Sequence, residues 1–133
     1  MPTFPSKNWM QAFCVELSAH PDVEKVANAL HGTYRFVIEP GGPLTERHSY
    51  DVCITQNPEI TLLDDQVETP TLELAADHER WRQLIQGKLD VAMALMMRRI
   101  KVRGDLSRLM GHLDSARPLV DALKQVRTEW LDD

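Results

Sequence analysis

Residues 81–106 read WRQLIQGKLDVAMALMMRRIKVRGDL, and the changes of period within this stretch decide the fold class. A helix is predicted at its start, because apolar residues recur at helical spacing ahead of a glycine that can end it: Trp81, Leu84, Ile85 and Gly87. Asp90 is placed to cap a second helix, and alternation of apolar and basic residues from Arg98 to Arg103 predicts a strand. Asp105 can cap a further helix, so helices flank a strand and an α+β fold is favoured.

Upstream of this stretch, helical spacing predicts a helix from about Lys7 to Ala19, capped by Ser6, and a second short helix around 23–30. Two-residue alternation then predicts strands near 34–39, 47–55, 60–63 and 71–75, which we expect to pair as an antiparallel meander. Downstream, Ser115 is expected to open a last helix with this apolar stripe: Leu119, Val120, Leu123, Val126 and Trp130.

The predicted architecture is a five-stranded, mostly antiparallel sheet with helices packed on one face, in a chain of 133 residues that is the length of one domain. We expect N-terminal helices over 1–31, the β-meander over 33–76, and helices with the fifth strand over 77–133. No apolar run is long enough to cross a membrane, and no secretory or peroxisomal signal is evident. We therefore expect a cytoplasmic protein in which Cys14 and Cys53 are reduced.

Charge is distributed unevenly along the chain. The formal net charge of −5 argues against nucleic acid as a partner, yet residues 80–108 hold eight basic and two acidic side chains. Alternation would place Arg99, Lys101 and Arg103 on one strand face, where they either meet a transient anionic membrane surface or are solvated and balanced by nearby acids. Four of the six methionines lie in this region, where they can fill a core or line an adaptable apolar cavity: Met93, Met96, Met97 and Met110.

Candidate catalytic residues are few. The five histidines are scattered without metal-ligand spacing, and the sequence holds neither a nucleophile elbow nor a phosphate-binding loop. We therefore expect no metal, no cofactor and no enzymatic activity. The candidate residues for an enzyme are His78, Glu79 and His112. The sequence as a whole favours a binding function over catalysis.

Three motifs follow one another in the second half of the chain: Leu84-x-x-Gly87-Lys88-Leu89-Asp90, then Ala94-Leu95-Met96, then Arg99-Ile100-Lys101-Val102-x-Gly104-Asp105-Leu106. With the elements upstream, they resemble the sterol-carrier-protein-2-like lipid-transfer domains, of the stand-alone bacterial type, over about 33–113. The resemblance implies a hydrophobic tunnel between sheet and helices, and non-catalytic binding and transfer of fatty acyl, sterol-like or isoprenoid lipids. Val91 stands where the family often has proline, and Arg98 where it commonly has glycine.

On that resemblance we expect an enclosed cavity on the order of a few hundred Å³, with this apolar lining: Trp81, Leu84, Ile85, Leu89, Met93, Met96, Met97, Ile100, Leu106, Leu109, Met110 and Leu113. Arg98 and Arg99 are candidates for a carboxylate or phosphate headgroup, because a guanidinium offers a bidentate fork. The alternative is an accessory or dimerisation module with a filled interior, such as a scaffold in isoprenoid-quinone synthesis. A homodimer is compatible with either interpretation.

Overall fold

The computed structural model describes residues 1–132. Seven strands and six helices follow one another along these residues: β1 Thr3–Phe4, α1 Lys7–Ala19, α2 Val23–Leu30, β2 Gly32–Glu39, β3 His48–Ile54, β4 Ile60–Leu62, β5 Leu72–Asp77, α3 His78–Ile85, α4 Val91–Met96, β6 Lys101–Gly104, α5 Leu106–Gly111, α6 Arg117–Gln125 and β7 Glu129–Trp130. None of the helices in this part of the chain combines the length and the apolar character that crossing a bilayer requires.

The predicted α+β class and the five-stranded, mostly antiparallel sheet are confirmed. The strand order is β4-β3-β2-β5-β6, and every neighbouring pair is antiparallel except β2 with β5. Alternate side chains of β2 face the helices: Tyr34, Phe36 and Ile38 are buried, and the Phe36 ring meets Phe13 of α1 edge-on at 5.7 Å. The two-residue alternation of the sequence therefore separates the core face of the sheet from its outer face.

The predicted meander is wrong for its fourth strand, because β5 runs parallel to β2 and not antiparallel to β4. The connection after β4 crosses the outer face of the sheet, where the Val67 N–H donates to Asp51 at 2.9 Å. Arg35 fixes the same point, since it donates to both carboxylate oxygens of Asp51 and to the Val67 carbonyl. These long-range contacts return the chain to the free edge of β2.

A row of alternating charge crosses the outer face of the sheet along the register of four strands. Asp51, Arg35, Glu73 and Arg103 lie on neighbouring strands in that order. The buried Arg35–Asp51 pair is close at 2.8 Å, whereas the contacts of Glu73 with Arg35 and Arg103 are 4.0 and 3.9 Å. Cross-strand pairs of opposite charge stabilise a sheet, so this row helps to hold β6 at its edge.

Helix starts follow the predicted capping pattern. The side chains of Ser6, Asp77, Asp90 and Asp105 each accept a hydrogen bond from the backbone N–H three residues further on. Such caps satisfy amide groups that the helix itself leaves free. The starts of α1, α3, α4 and α5 are thereby fixed locally.

The last helix differs from the prediction. It begins at Arg117 after an Ala116 cap, not at Ser115, and it ends at Gln125, so Val126 and Trp130 lie beyond it. Trp130 belongs to β7, which pairs in parallel with β1, and its ring lies 5.7 Å from that of Phe4. A strand of two residues is too short to show a periodicity in the sequence. Trp130, whose spacing suggested a longer helix, is therefore buried in this small terminal sheet instead.

Candidate functional site

An open groove of about 420 Å³ lies between α4, β6 and α5. We call it the outer groove, and it is lined by Leu95, Met96, Arg98, Ile100, Lys101, Val102, Leu106 and Met110. Its walls are mainly apolar, and the two cationic side chains stand at one side. A groove of this composition suits an elongated apolar ligand with one polar end.

A second, smaller space lies between the helices and the core face of the sheet. This inner pocket has a volume of about 70 Å³ and only apolar walls: Phe13, Phe36, Leu74, Trp81, Leu84, Val91, Leu95, Ile100, Leu109, Ala116, Leu119, Val120 and Leu123. Leu95 and Ile100 line both spaces. These two side chains are therefore the partition between the outer groove and the protein interior.

Within residues 1–132, the inner pocket between sheet and helices has about 70 Å³, well short of the expected few hundred Å³. Aromatic rings occupy that space, with Phe36 between Phe13 and Trp81 at centroid distances of 5.7 and 5.8 Å. The Trp81 indole is also anchored, because its Nε1–H donates to the Val37 carbonyl at 2.8 Å. A dry cavity of about 150 Å³ is needed to accommodate benzene, so the inner pocket does not hold a hydrocarbon chain unless neighbouring side chains move.

Helix α4 is a weakly embedded wall of these two spaces. Ala94 is its one buried residue, while Met93, Met96 and the adjoining Met97 are 55%, 74% and 54% exposed. Segments with little buried apolar surface open at low free-energy cost. The α4 wall of the inner pocket is thus easily displaced.

The predicted apolar lining is divided by the structure into four groups. Met96, Leu106 and Met110 line the outer groove, Trp81, Leu84 and Leu109 line the inner pocket, and Ile100 lines both. The remaining predicted residues line neither space: Ile85, Leu89, Met93, Met97 and Leu113. Whether any of these residues contacts a lipid stays a prediction.

Sequence reasoning missed more than half of the inner pocket, and most of the missed residues come from helices and strands distant in sequence: Phe13, Phe36, Leu74, Val91, Leu95, Ala116, Leu119, Val120 and Leu123. Periodicity had placed several of them on apolar faces without showing which faces meet. Leu95 had a local signal, since it lies within the Ala94-Leu95-Met96 motif.

The two headgroup candidates border a separate, polar space of about 640 Å³, which we call the basic pocket. Arg98, Arg99, Lys101 and Arg80 supply its positive charge, and Glu39 and Asp77 also line it. Arg98 and Lys101 border the outer groove as well, so they stand where the apolar and the basic surfaces meet. Both arginines are exposed and precede β6, which is shorter than predicted and starts at Lys101.

Arg98 has a φ of 55°, in the left-handed region of backbone conformation. An L-residue pays about 1–2 kcal/mol for that conformation, and glycine does not. The glycine that the family commonly has at this position is therefore explained by the backbone. The strained arginine brings a cation to the edge of the outer groove.

The residues from which an enzyme would have to be built do not converge. His78 is buried between the rings of Phe4 and Trp130, and this burial lowers its pKa from the usual value. His112 is exposed at the end of α5, where its ring contacts the Arg108 carbonyl at 2.9 Å. Within residues 1–132, no group of three or more His, Cys, Asp or Glu side chains is placed to hold a metal ion.

Several solved structures share this fold. Sterol carrier protein 2 has 19% identity and a TM-score of 0.76, over 91% of this chain and 97% of that one. The conserved hypothetical protein TT1886 of Thermus thermophilus, described as possibly a sterol carrier protein, has 18% identity and a TM-score of 0.73, over 93% and 90%. A UbiJ-SCP2 ubiquinone synthesis protein has 14% identity and a TM-score of 0.57, over 85% and 90%. At these identities the likeness establishes the fold alone.

The sequence comparison identifies the family. No curated protein matches this chain. A family model described as the SCP-2 sterol transfer family matches residues 14–112, which is most of the chain and includes α4, β6 and α5. This match confirms the resemblance drawn from the three motifs. The chain therefore belongs to the SCP-2 sterol transfer family.

Proposed function

We propose that this protein binds and transfers lipids without chemistry, holding the apolar chain of a fatty acyl, sterol-like or isoprenoid molecule in the outer groove. The observation that carries this proposal is the shared wall formed by Leu95 and Ile100. A chain lying in the outer groove contacts both residues, and their displacement with α4 would admit it to the inner pocket.

The energetics favour a ligand that loads and leaves readily. Full burial of each methylene contributes about 0.8 kcal/mol, so about twelve methylenes enclosed by the outer groove and the opened inner pocket would supply roughly 10 kcal/mol. Association entropy opposes this by about 4 kcal/mol or more, which leaves about 6 kcal/mol and a Kd of roughly 40 µM. The empty inner pocket costs only about 1.7 kcal/mol at 24 cal/mol per Å³, which is a small part of the stability of a typical domain.

The polar end of the ligand is proposed to be a carboxylate or a phosphate that meets Arg98 and Arg99. Arg98 borders both the outer groove and the basic pocket, and Arg99 lies one residue further along the wall of the basic pocket. Charge-assisted hydrogen bonds from guanidinium groups are about twice as strong as neutral ones. They would orient the chain with its head outward.

A fluorescent fatty acid tests the lipid-binding proposal directly. Met96→Arg places a charge inside the outer groove and should abolish the fluorescence change, because a guanidinium is costly to desolvate against a hydrocarbon chain. His112→Ala is the matched control, because His112 lies outside both apolar spaces and should leave binding unchanged. Equal binding by both variants, or no binding by the wild-type protein, contradicts the proposal.

The small inner pocket favours one second candidate, an accessory or dimerisation module with a filled interior. Rings of Phe13, Phe36 and Trp81 occupy the region where a tunnel was expected. A UbiJ-SCP2 ubiquinone synthesis protein shares the fold, and a scaffold in isoprenoid-quinone synthesis is one form that this role would take. A stoichiometric complex, with itself or with another protein, that forms equally well in Met96→Arg would favour this candidate over the carrier.

A further inference from the structure

We propose that the surface formed by α4 and the residues after it docks this protein onto an anionic lipid bilayer. We call this surface the methionine–arginine face, and its residues are Met93, Met96, Met97, Arg98, Arg99 and Lys101. This docking goes beyond the lipid binding proposed above, because it concerns contact with a membrane surface and not occupation of a site. Part of the face lies outside both apolar spaces, so the two proposals can be tested separately.

Exposed apolar side chains are concentrated at this face. Of the eight large hydrophobic residues that are exposed within residues 1–132, three belong to the face, Met93, Met96 and Met97, and two more, Leu106 and Met110, lie beside it on α5. Exposed apolar clusters of this kind mark interaction sites in soluble proteins. Flexible methionine side chains adapt to a partner surface without fixed shape, and the acyl boundary of a bilayer is such a surface.

Unpaired positive charge adjoins the methionines. Arg98, Arg99 and Lys101 are exposed, and within the described part of the chain none of them forms a salt bridge. Three acids lie nearby: Glu39 pairs with Arg47 at 3.0 Å, and Asp77 and Asp90 cap α3 and α4. The net charge of the protein is −5. Anionic headgroups therefore attract this face and repel the rest of the protein surface.

The outer groove opens within this face, because Met96, Arg98 and Lys101 line its wall. Docking would therefore set the groove mouth against the bilayer, with the methionines in the acyl boundary and the cations among the headgroups. A bilayer is favoured over a protein partner because three flexible methionines lie beside exposed cations, which suits a headgroup surface that has no fixed shape.

Flotation of the purified protein with vesicles tests the docking. Binding is expected to phosphatidylcholine vesicles that contain phosphatidylglycerol, to weaken with NaCl, and to be absent for phosphatidylcholine alone. Each basic residue near such a surface contributes about a five-fold gain in partitioning, so Arg99→Gln/Lys101→Gln should bind about 25-fold more weakly. Lys25→Gln/Arg127→Gln removes the same charge from exposed positions elsewhere and should bind as the wild type does.

A second pair of variants separates docking from lipid binding. Met93 and Met97 line neither apolar space, so Met93→Ser/Met97→Ser should lower vesicle binding about ten-fold and leave fatty-acid binding unchanged. Peroxide oxidation gives a readout that needs no substitution. Vesicles with phosphatidylglycerol should protect Met93, Met96 and Met97, while Met1, which is 77% exposed, should be oxidised at its free rate.

Absence of phosphatidylglycerol-dependent binding overturns the proposal, even if the protein binds the fatty acid or an acidic protein. Equal loss in the Lys25→Gln/Arg127→Gln control also overturns it, because the face would then have no special role. Protection of Met1 together with the three methionines of the face would have the same consequence. Docking that persists when fatty-acid binding fails would support this proposal and contradict the proposed function.

Discussion

Replacement of Arg98 by glycine should raise stability while it weakens ligand binding. The φ of 55° costs a non-glycine residue about 1–2 kcal/mol, and the exposed side chain contributes little packing. Glycine removes that strain but adds about 0.4–1 kcal/mol of backbone entropy to the unfolded state. We therefore expect Arg98→Gly to increase the free energy of unfolding by about 0.5–1 kcal/mol. Urea titration followed by tryptophan fluorescence measures the change.

Ligand affinity provides the second readout of the same variant. Loss of a charge-assisted hydrogen bond at the edge of the outer groove should weaken fatty-acid binding about ten-fold. Arg98→Ala is the matched control, because it removes the guanidinium and keeps the strained backbone, so it should bind weakly without gaining stability. The reasoning is refuted if the Arg98→Gly variant is less stable than the wild-type protein, or if it binds the fatty acid as well as the wild type does.

Three further predictions concern the interior. Asp51→Ala removes the buried carboxylate that accepts from Arg35 and from the Val67 N–H, so the free energy of unfolding should fall by about 3 kcal/mol in urea titrations. Burial lowers the pKa of His78, so only the unfolded state takes up its proton readily, and stability should fall as the pH drops below about 6.5. Burial raises the pKa of the Cys14 thiol to about 11, so alkylation of the folded protein should modify Cys53 alone.

Each of these predictions has a matched comparison. Arg47→Ala breaks an exposed pair with Glu39 and should cost less than about 1 kcal/mol, and a loss as large as that of Asp51→Ala would contradict the first prediction. His78→Gln should remove up to about 1.4 kcal/mol per pH unit from the acid slope, and an unchanged slope would exclude His78 as its source. Alkylation of Cys14 at the rate of Cys53 would contradict the third.

Local sequence signals place the helices and strands of this fold, but they do not show which strands pair with each other. A carboxylate or hydroxyl three residues ahead of an amide is a local signal, so the four capped helices could be placed from the sequence. The parallel pairing of β5 with β2 depends on Arg35, Asp51 and Val67, which are brought together only by the finished fold. Local alternation does not contain that information.

The candidate site shows the same difference between local signals and long-range contacts. The motifs cover α4, β6 and the start of α5, which line the outer groove, whereas the left-handed backbone at Arg98 is seen only in the structure. The volume of the interior could not be predicted, because it depends on how the rings of Phe13, Phe36 and Trp81 meet across three elements. The single-domain organisation and the cytoplasmic location remain predictions from the sequence.

Intermolecular nuclear Overhauser effects between a fatty acid and labelled methyl groups test lipid binding at the shared wall most directly. Leu95 and Ile100 are the reporters because they line both the outer groove and the inner pocket. We expect cross-peaks from the acyl chain to methyl groups of both Leu95 and Ile100. We also expect cross-peaks to Leu109 of the inner pocket. Cross-peaks confined to other surfaces, or none at saturating fatty acid, would contradict the proposal that this protein carries a lipid chain.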